Sequence, residues 1–368
     1  MKLPITRRFL PLLLGVAALA LVMSNYVDRS AQDPISDLVV APGYSVTTWA
    51  KDLERPRVMV ETAGGDLIVS TYRGGSVLLV KKDADGDGVS DGSKVLLPDQ
   101  NSPHGLLVEN DTLFVAEENR ISKYQIVGDT LTNRQTVLDG LPDDGDHASR
   151  TLARGPDGWL YVSIGSSCNR CIEENPWRAA IIRFKEGGKP EIFAKGLRNT
   201  VGFDWHPVTG KLYGVNAGSD LLGDDIPPEE LNLIEQGKHY GWPYFHSTDF
   251  KDPKYWSKRP KGVEFVPPVH SFTAHSTPLS IRFLKGTAMP TALVGRRGSW
   301  NRSVKSGYDV VKLTWQPDGT ITQSPFLTGF VKNEEASGRP VDTLQIADGS
   351  IFISDDTAGV IYKVAPVK

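Results

Sequence analysis

Residues 143–165 read Asp143-Asp-Gly-Asp-His-Ala-Ser-Arg-Thr-Leu-Ala-Arg-Gly-Pro-Asp-Gly-Trp-Leu-Tyr-Val-Ser-Ile-Gly165. The second half is a Gly-Pro-Asp-Gly turn followed by a strand-forming run, and such a turn sets the register of the strand. The first half places three carboxylates beside His147, and nearby acids control the charge of a histidine. We therefore take His147 as a candidate general base. The alternative is an exposed loop histidine that the acids merely solvate.

The same unit of a turn and a short strand recurs along the chain. The strand centres are separated by 46, 47, 52, 81 and 58 residues, and they are Leu67, Leu113, Leu160, Leu212, Leu293 and Ile351. Hairpin units with a period near 40–50 residues are typical of β-propellers. The pattern predicts an all-β fold, a six-bladed β-propeller of four-stranded antiparallel blades. Long amphipathic helices are absent from the pattern, which argues against Rossmann and TIM folds.

Two further segments bear on the architecture. Residues 37–49 could supply a strand that closes the last blade, and we expect residues 37–368 to form the propeller domain. The widest gap between repeats contains an aromatic insertion, residues 239–256. Aromatic side chains there either bind a ligand at the propeller mouth or simply pack the insertion.

The composition indicates an exported protein. The formal net charge of −3 lends no support to nucleic-acid binding, and the hydrophobic content of 39% is ample for a core. Lys2, Arg7 and Arg8 precede an apolar run from Phe9 to Met23. Residues 1–25 are thus expected to be a signal peptide or an uncleaved N-terminal anchor. The expected location is periplasmic or otherwise exported, with membrane attachment if the segment is retained.

The two cysteines, Cys168 and Cys171, form a CxxC motif. In an exported chain a disulfide is the default state of such a pair. A zinc site would need two further ligands, and no second Cys or His pair provides them. We predict a disulfide.

An acidic loop resembles the first part of an EF-hand calcium loop. Its oxygen-bearing residues occupy positions 1, 3, 5 and 9, and they are Asp83, Asp85, Asp87 and Asp91. A glycine, Gly88, stands at position 6, as that loop requires, but position 12 is Lys94 instead of glutamate. We expect a structural calcium site here, with an acidic turn that binds no metal as the alternative.

Several segments together resemble the soluble PQQ-dependent aldose sugar dehydrogenases, the glucose/sorbosone dehydrogenase family. They follow the family order from about Pro42 to the C-terminus. They are Asp146-His147 with residues 155–165, Gly196-Leu-Arg-Asn199, Glu230-Leu-Asn-Leu-Ile234 with Tyr240-Gly-Trp-Pro243, Ser102-Pro-His-Gly105, Gly298-Ser-Trp-Asn-Arg302 and Ser354-Asp-Asp356. The resemblance implies a six-bladed propeller that holds pyrroloquinoline quinone (PQQ) and calcium at the mouth of its central channel.

The resemblance also implies roles for individual residues. His147 matches the base that removes the proton of the anomeric hydroxyl. The residues that match cofactor ligands are Arg198, Asn199 and Arg339, which suit the PQQ carboxylates. Backbone carbonyls of Gly218 and Ser219 would bind the calcium of the cofactor. Binding of the sugar hydroxyls is assigned to His104 and Asp146, and His275 is a further candidate.

The chain departs from the family pattern at several positions. Ser166 stands where some members have an aspartate behind the histidine, so another acid such as Asp144 would have to orient the ring. Val341 replaces a second cofactor arginine. A cofactor lysine has no clear counterpart, and Arg297 or Arg302 could replace it.

The expected function is oxidation of aldose sugars at the anomeric carbon to lactones, with electrons passing to a cytochrome or another acceptor. The neighbouring aspartates are expected to raise the pKa of His147. Two alternatives are a calcium-dependent propeller lactonase and a sugar- or protein-binding propeller without cofactor. A fold by itself does not decide among them.

Overall fold

A computed structural model describes residues 35–367. The expected signal peptide or anchor, residues 1–25, lies outside these described residues. Within the described part of the chain, no helix is long and apolar enough to cross a membrane. The structure is built almost wholly of β-strands, of which the first two are β1 (Val39–Val40) and β2 (Tyr44–Ala50).

Six antiparallel sheets form the blades of a propeller, as predicted. The first three blades are β3 (Pro56–Glu61), β4 (Leu67–Thr71), β5 (Ser76–Val80) and β6 (Ser93–Leu97); β7 (Gly105–Glu109), β8 (Thr112–Ala116), β9 (Arg120–Val127) and β10 (Thr130–Asp139); and β11 (Leu152–Arg154), β12 (Leu160–Ile164), β13 (Ala180–Phe184) and β14 (Glu191–Lys195).

The fourth blade contains the insertion between its third and fourth strands. It comprises β15 (Thr200–Trp205), β16 (Leu212–Asn216), β17 (Glu229–Ile234) and, after the insertion, β20 (His270–Phe272). The insertion contains the hairpin of β18 (Phe245–His246) and β19 (Phe250–Lys251), and the 3₁₀ turn Trp256–Lys258. Its aromatic residues are largely buried, among them Tyr240, Trp242, Tyr244 and Tyr255. These side chains pack the insertion and do not form an open binding surface.

The fifth blade comprises β21 (Arg282–Phe283), β22 (Thr291–Arg296), β23 (Asp309–Trp315) and β24 (Ile321–Thr328), and β1 adds a fifth strand at its edge. A small hairpin of β25 (Val331–Lys332) and β26 (Glu335–Ala336) follows. The sixth blade comprises β27 (Pro340–Gln345), β28 (Ile351–Asp355) and β29 (Val360–Pro366), and its fourth strand is β2. The prediction that residues 37–49 close the last blade is confirmed.

The core lies between neighbouring blades. Side chains of the second strands, such as Leu113 of the second blade, are fully buried against Ile68 and Leu79 of the first blade. Where the ring closes, Trp49 of β2 packs with Met59 and other residues of the first blade. The first strands β3, β7, β11 and β27 contact one another around the central channel. Each blade thus buries its apolar faces against its neighbours, which holds the ring rigid around the channel.

Candidate active site

Loops at one end of the ring collect the predicted site residues. His147 lies between β10 and β11, Arg198 and Asn199 between β14 and β15, and Arg339 between β26 and β27, so all three loops lead into the first strand of a blade. Gly218 and Ser219 lie on the loop that joins the second and third strands of the fourth blade. Antiparallel strands reverse direction at every turn, so both kinds of loop emerge at the same end. This end of the ring is the site face.

The His147 ring is oriented by Ser166. Its Nδ1 atom lies 2.8 Å from the Ser166 main-chain oxygen and 3.0 Å from the Ser166 hydroxyl. That hydroxyl donates to the carbonyl of Cys168 (2.7 Å), so both atoms beside Nδ1 act as acceptors. The proton of the neutral ring must therefore sit on Nδ1. The Nε2 atom bonds no described residue and keeps its lone pair for a ligand.

The expectation that neighbouring aspartates raise the pKa of His147 is wrong. Burial of the ring, followed by the positive charges of Arg198, Arg178 and Arg150, lowers that pKa to about 3. Asp144 does not substitute for the missing aspartate, because its exposed carboxylate pairs with Arg178 at 3.1 Å. The ring is consequently neutral near pH 7, the state that a general base requires.

Gly165 lies between His147 and Asn199, and its lack of a side chain lets these two residues come close together. A Cβ atom at Gly165 would be 2.6 Å from the His147 Cβ and 2.7 Å from the Asn199 Oδ1, so only glycine fits. The Asn199 side-chain amide has no hydrogen-bond partner in the described part of the chain. Arg198, in contrast, is 4% exposed and uses most of its donors on the protein, including a 2.9 Å ion pair with Asp220.

The Gly218–Ser219 segment presents two unpaired carbonyl oxygens. The amide of Gly218 donates to Glu229, and the amide of Asp220 donates to Asn169 (2.8 Å). Among the residues that the structure describes, none donates a hydrogen bond to the carbonyls of Gly218 or Ser219, and the buried Ser219 hydroxyl also lacks a partner. Calcium prefers oxygen ligands of this kind.

Glu229 is a site residue that sequence reasoning missed, although it directly precedes the quoted Glu230-Leu-Asn segment. Its side chain is buried, and its carboxylate accepts the amides of Gly218 and, at 3.3 Å, Thr277. It therefore links the Gly218–Ser219 segment of the fourth blade to Thr277, on the connection that leads into the fifth blade. Burial raises the pKa of Glu229 to about 7.

The two residues assigned to sugar hydroxyls have different environments. Asp146 is exposed on the site face, next to His147. His104 is 1% exposed and lines a small cavity of about 20 Å³ in the central channel, together with Ser280 and Asp342. Both ring nitrogens of His104 are buried and have no partner among the described residues, and its contact with a sugar hydroxyl stays a prediction. Its burial also lowers the pKa of His104 to about 3.

Arg339 is held at the rim by Tyr308. Its guanidinium lies 4.7 Å from the ring centroid of Tyr308 and donates to the Tyr308 hydroxyl at 2.9 Å. Of the two possible replacements for the lysine, Arg302 pairs with the exposed Asp225, whereas Arg297 pairs with Asp356 close to Arg339. Arg297 is therefore the better placed of the two.

Arg57 also pairs with Asp356, the carboxylate that Arg297 contacts. Its Nε lies 3.0 Å from Asp356, and its guanidinium stacks 4.4 Å from the ring centroid of Tyr72. Arg57 lies on the first blade and Asp356 on the sixth, at opposite ends of the sequence. No local pattern marks Arg57, so sequence reasoning did not identify it.

The disulfide predicted between Cys168 and Cys171 is present, with a Cα–Cα distance of 6.2 Å. It closes a short loop that contacts both Arg198 and the insertion. Asn169 accepts hydrogen bonds from Arg198, and the carbonyl of Arg170 accepts one from Tyr255 of the insertion (3.0 Å). The insertion and the disulfide loop are thus packed together beside His147.

The acidic loop joins β5 to β6, a connection that belongs to the opposite end of the blade from the site face. Carboxylate oxygens of Asp83, Asp85 and Asp91 lie within 4.8 Å of one another. Asp87, predicted as a fourth ligand, is not in this cluster, and its carboxylate accepts the amide of Val89 (2.8 Å). Three of the four predicted ligands thus lie together, and a role for Asp87 as the fourth stays a prediction.

Comparisons with known proteins agree with this architecture. An uncharacterized protein from Borreliella burgdorferi is 29% identical over 360 residues, which cover 91% of this chain and 92% of that protein. A pyrroloquinoline quinone-dependent pyranose dehydrogenase from Coprinopsis cinerea is 25% identical over 90% of this chain, although the match spans only 55% of the dehydrogenase. The aldose sugar dehydrogenase YliI of Escherichia coli is 22% identical over 64% of this chain and 65% of that protein.

Solved structures show the same fold. A Trichoderma reesei carbohydrate-active enzyme of family AA12 superposes with a TM-score of 0.78 at 23% identity, covering 90% of this chain and 98% of that one. The PQQ domain of the Coprinopsis cinerea pyranose dehydrogenase gives 0.75 at 22% identity, with coverage of 89% and 96%. The model of the TrAA12-like family matches residues 38–250 and 256–366, nearly all of the propeller, and the chain belongs to the TrAA12-like family.

Proposed function

We propose that this protein is a PQQ- and calcium-dependent dehydrogenase that oxidises aldose sugars at the anomeric carbon to lactones. Family membership and two relatives, one named a PQQ-dependent pyranose dehydrogenase and the other an aldose sugar dehydrogenase, support the reaction class. The observation that carries the proposal is the His147 ring, whose proton is held on Nδ1 while Nε2 is free. A neutral base in this state suits removal of a hydroxyl proton.

The described residues fit the cofactors. The carbonyls of Gly218 and Ser219 would bind calcium, since they are unpaired in a segment whose other polar groups are engaged. The free amide of Asn199 and the Nε of Arg339 would bind polar groups of PQQ. When bound, the quinone would accept hydride and the calcium would act as a Lewis acid.

The residues of the chain supply the proton chemistry and the orientation. His147 Nε2 would take the anomeric hydroxyl proton, and the Ser166 carbonyl would stabilise the resulting imidazolium through Nδ1–H. Asp146 is exposed beside His147 and would hold a neighbouring sugar hydroxyl. Asn199 borders the same space, so base and amide would act on one side of the bound sugar.

Three further parts of the proposal concern the surroundings of the reaction. The protein would be exported by residues 1–25, either cleaved or retained as an anchor. Electrons would pass to a cytochrome or another acceptor. A second calcium, bound by Asp83, Asp85 and Asp91, would be structural, because its loop lies away from the site face.

A second candidate is a sugar-binding propeller without cofactor. The observation that favours it is the use of most Arg198 donors by Asp220, Asn169 and Ala217. A guanidinium so engaged has little left for a cofactor carboxylate. Sugar binding without any PQQ-dependent spectral change would support this candidate.

The test is reconstitution. Purified apo-protein is titrated with PQQ and calcium, and the quinone absorbance is followed when mixed aldoses are added. His147→Gln should keep the cofactor, yet its rate of quinone reduction should fall about 10²–10⁴-fold. His270→Gln, on the outer strand β20, is the matched control and should retain the rate. Near-parental reduction by PQQ-loaded His147→Gln would contradict the mechanism, and lactone hydrolysis without PQQ would identify a lactonase.

A further inference from the structure

Two arginines share one buried carboxylate on the side of the ring opposite His147. The Nε of Arg57 lies 3.0 Å from Asp356, and the Nε of Arg297 donates to both oxygens of the same carboxylate, at 2.8 and 3.1 Å. The Asp356 side chain is 3% exposed. The three residues come from the first, fifth and sixth blades, so the group spans three adjacent blades at the channel mouth.

The terminal nitrogens of both arginines remain free. Neither Nη atom of Arg57 donates a hydrogen bond to a described residue, and the same holds for Arg297. The Arg57 side chain is only 7% exposed, and its buried Nε makes no hydrogen bond although it lies 3.0 Å from Asp356. A buried guanidinium with unsatisfied donors is costly unless a ligand or solvent satisfies them.

The group is also rigid and positively charged. Tyr72 stacks on the Arg57 guanidinium at 4.4 Å, the Nε of Arg297 donates to the shared carboxylate, and the Nε of Arg57 lies 3.0 Å from it. Two guanidinium groups on one carboxylate leave a net charge of +1, and Arg339 adds another positive charge nearby. Guanidinium forks of this kind match the geometry of a carboxylate.

We propose that Arg57 and Arg297, held by Asp356, form a clamp that binds a ligand carboxylate at the channel mouth. The identity of the carboxylate rests on the proposed function: it belongs either to PQQ or to an acidic sugar such as a uronate. If the carboxylate is that of PQQ, Arg57 would provide a second cofactor arginine from the first blade, since the family position at Val341 is buried among Val201 and Leu279.

The first experiment measures PQQ binding to apo-protein by calorimetry with saturating calcium. Arg57→Gln and Arg297→Gln should each weaken binding by about ten- to hundredfold. Arg57→Lys keeps the charge but not the fork, and it should fold normally and still bind more weakly than the parent. Arg73→Gln is the matched control, because exposed Arg73 also lies over Tyr72 (5.4 Å) but outside the clamp, and it should bind PQQ as the parent does.

The second experiment distinguishes the sources of the carboxylate. Binding of glucuronate and glucose is compared in the same variants, with thermal unfolding as the check of folding. Loss of PQQ affinity assigns the clamp to the cofactor, and selective loss of glucuronate affinity assigns it to the substrate. Folded Arg57→Gln and Arg297→Gln with parental affinity for both ligands would overturn the clamp. A parent that binds no PQQ would instead refute the proposed function, and glucuronate binding would still test the clamp.

Discussion

The Nδ1 atom of His147 lies 2.8 Å from the main-chain oxygen of Ser166, and this contact decides which ring nitrogen carries the proton. A carbonyl can only accept, so Nδ1 must donate, and Nε2 is left as the basic atom. Orientation of the ring therefore comes from the backbone and hydroxyl of Ser166, although the aspartate of some family members is missing. Without that aspartate, no carboxylate of a described residue faces Nδ1 to raise the pKa of the ring. The pKa of His147 is accordingly lowered, chiefly by burial.

Ser166→Ala should weaken this orientation without removing it, because the carbonyl contact remains. We expect the rate of quinone reduction to fall about 10- to 100-fold, with PQQ affinity unchanged. Nitrogen NMR of His147 should still show the tautomer protonated on Nδ1, because the main-chain carbonyl of Ser166 remains. Ser166→Asp should raise the pKa of His147 by placing a carboxylate at Nδ1. An unchanged rate of quinone reduction in Ser166→Ala would show that the hydroxyl is irrelevant.

Acid should destabilise the fold through buried histidines. Burial lowers the pKa of His104 and His147 to about 3 and that of His239 to about 4, against an ordinary value of 6.5. Below pH 6.5 the unfolded chain binds more protons than the folded one, so the free energy of unfolding falls as the pH drops towards 4. Urea unfolding at pH 7 and pH 5 measures the loss. His104→Gln should show a smaller loss than the parent, and an equal loss would contradict the assignment.

Calcium should stabilise the acidic loop but leave catalysis alone. Asp85→Ala and Asp91→Ala each remove a member of the carboxylate cluster, so the rise in melting temperature on adding calcium should largely disappear. Asp87→Ala, outside the cluster, should retain most of that rise. Turnover of reconstituted protein should be unchanged in all three variants, since the loop belongs to the other end of the blade. A large turnover loss in well-folded Asp85→Ala would place the loop at the site.

Reduction of the Cys168–Cys171 disulfide should impair the site more than the fold. The loop accepts a hydrogen bond from Ser166 and others from Arg198, but it closes only a three-residue separation in sequence. Short loops constrain the unfolded chain little, so the melting temperature should change only slightly. A Cys168→Ser/Cys171→Ser variant should show reduced turnover, measured alongside its thermal unfolding. A large drop in melting temperature with parental turnover would be the contrary result.

Much of the fold was predictable because its information is local. Turn residues and short alternating strands, such as the Gly-Pro-Asp-Gly turn before β12, repeat along the chain and define the blades. The closing strand β2 and the disulfide were predictable from the same local patterns and from the composition. The insertion was visible as a gap, but only the structure shows that its aromatic residues are buried.

The sequence by itself determined the propeller, its closure and the position of His147 on a loop beside a rigid strand. Only the tertiary structure decided that His147 is neutral, that His104 is almost fully buried, and that Arg57 meets Asp356 from the other end of the chain. Strand and turn formation depends on neighbours in sequence, whereas desolvation and charge pairing depend on neighbours in space. Closing the ring of blades brings those spatial neighbours together, and no local sequence pattern predicts them.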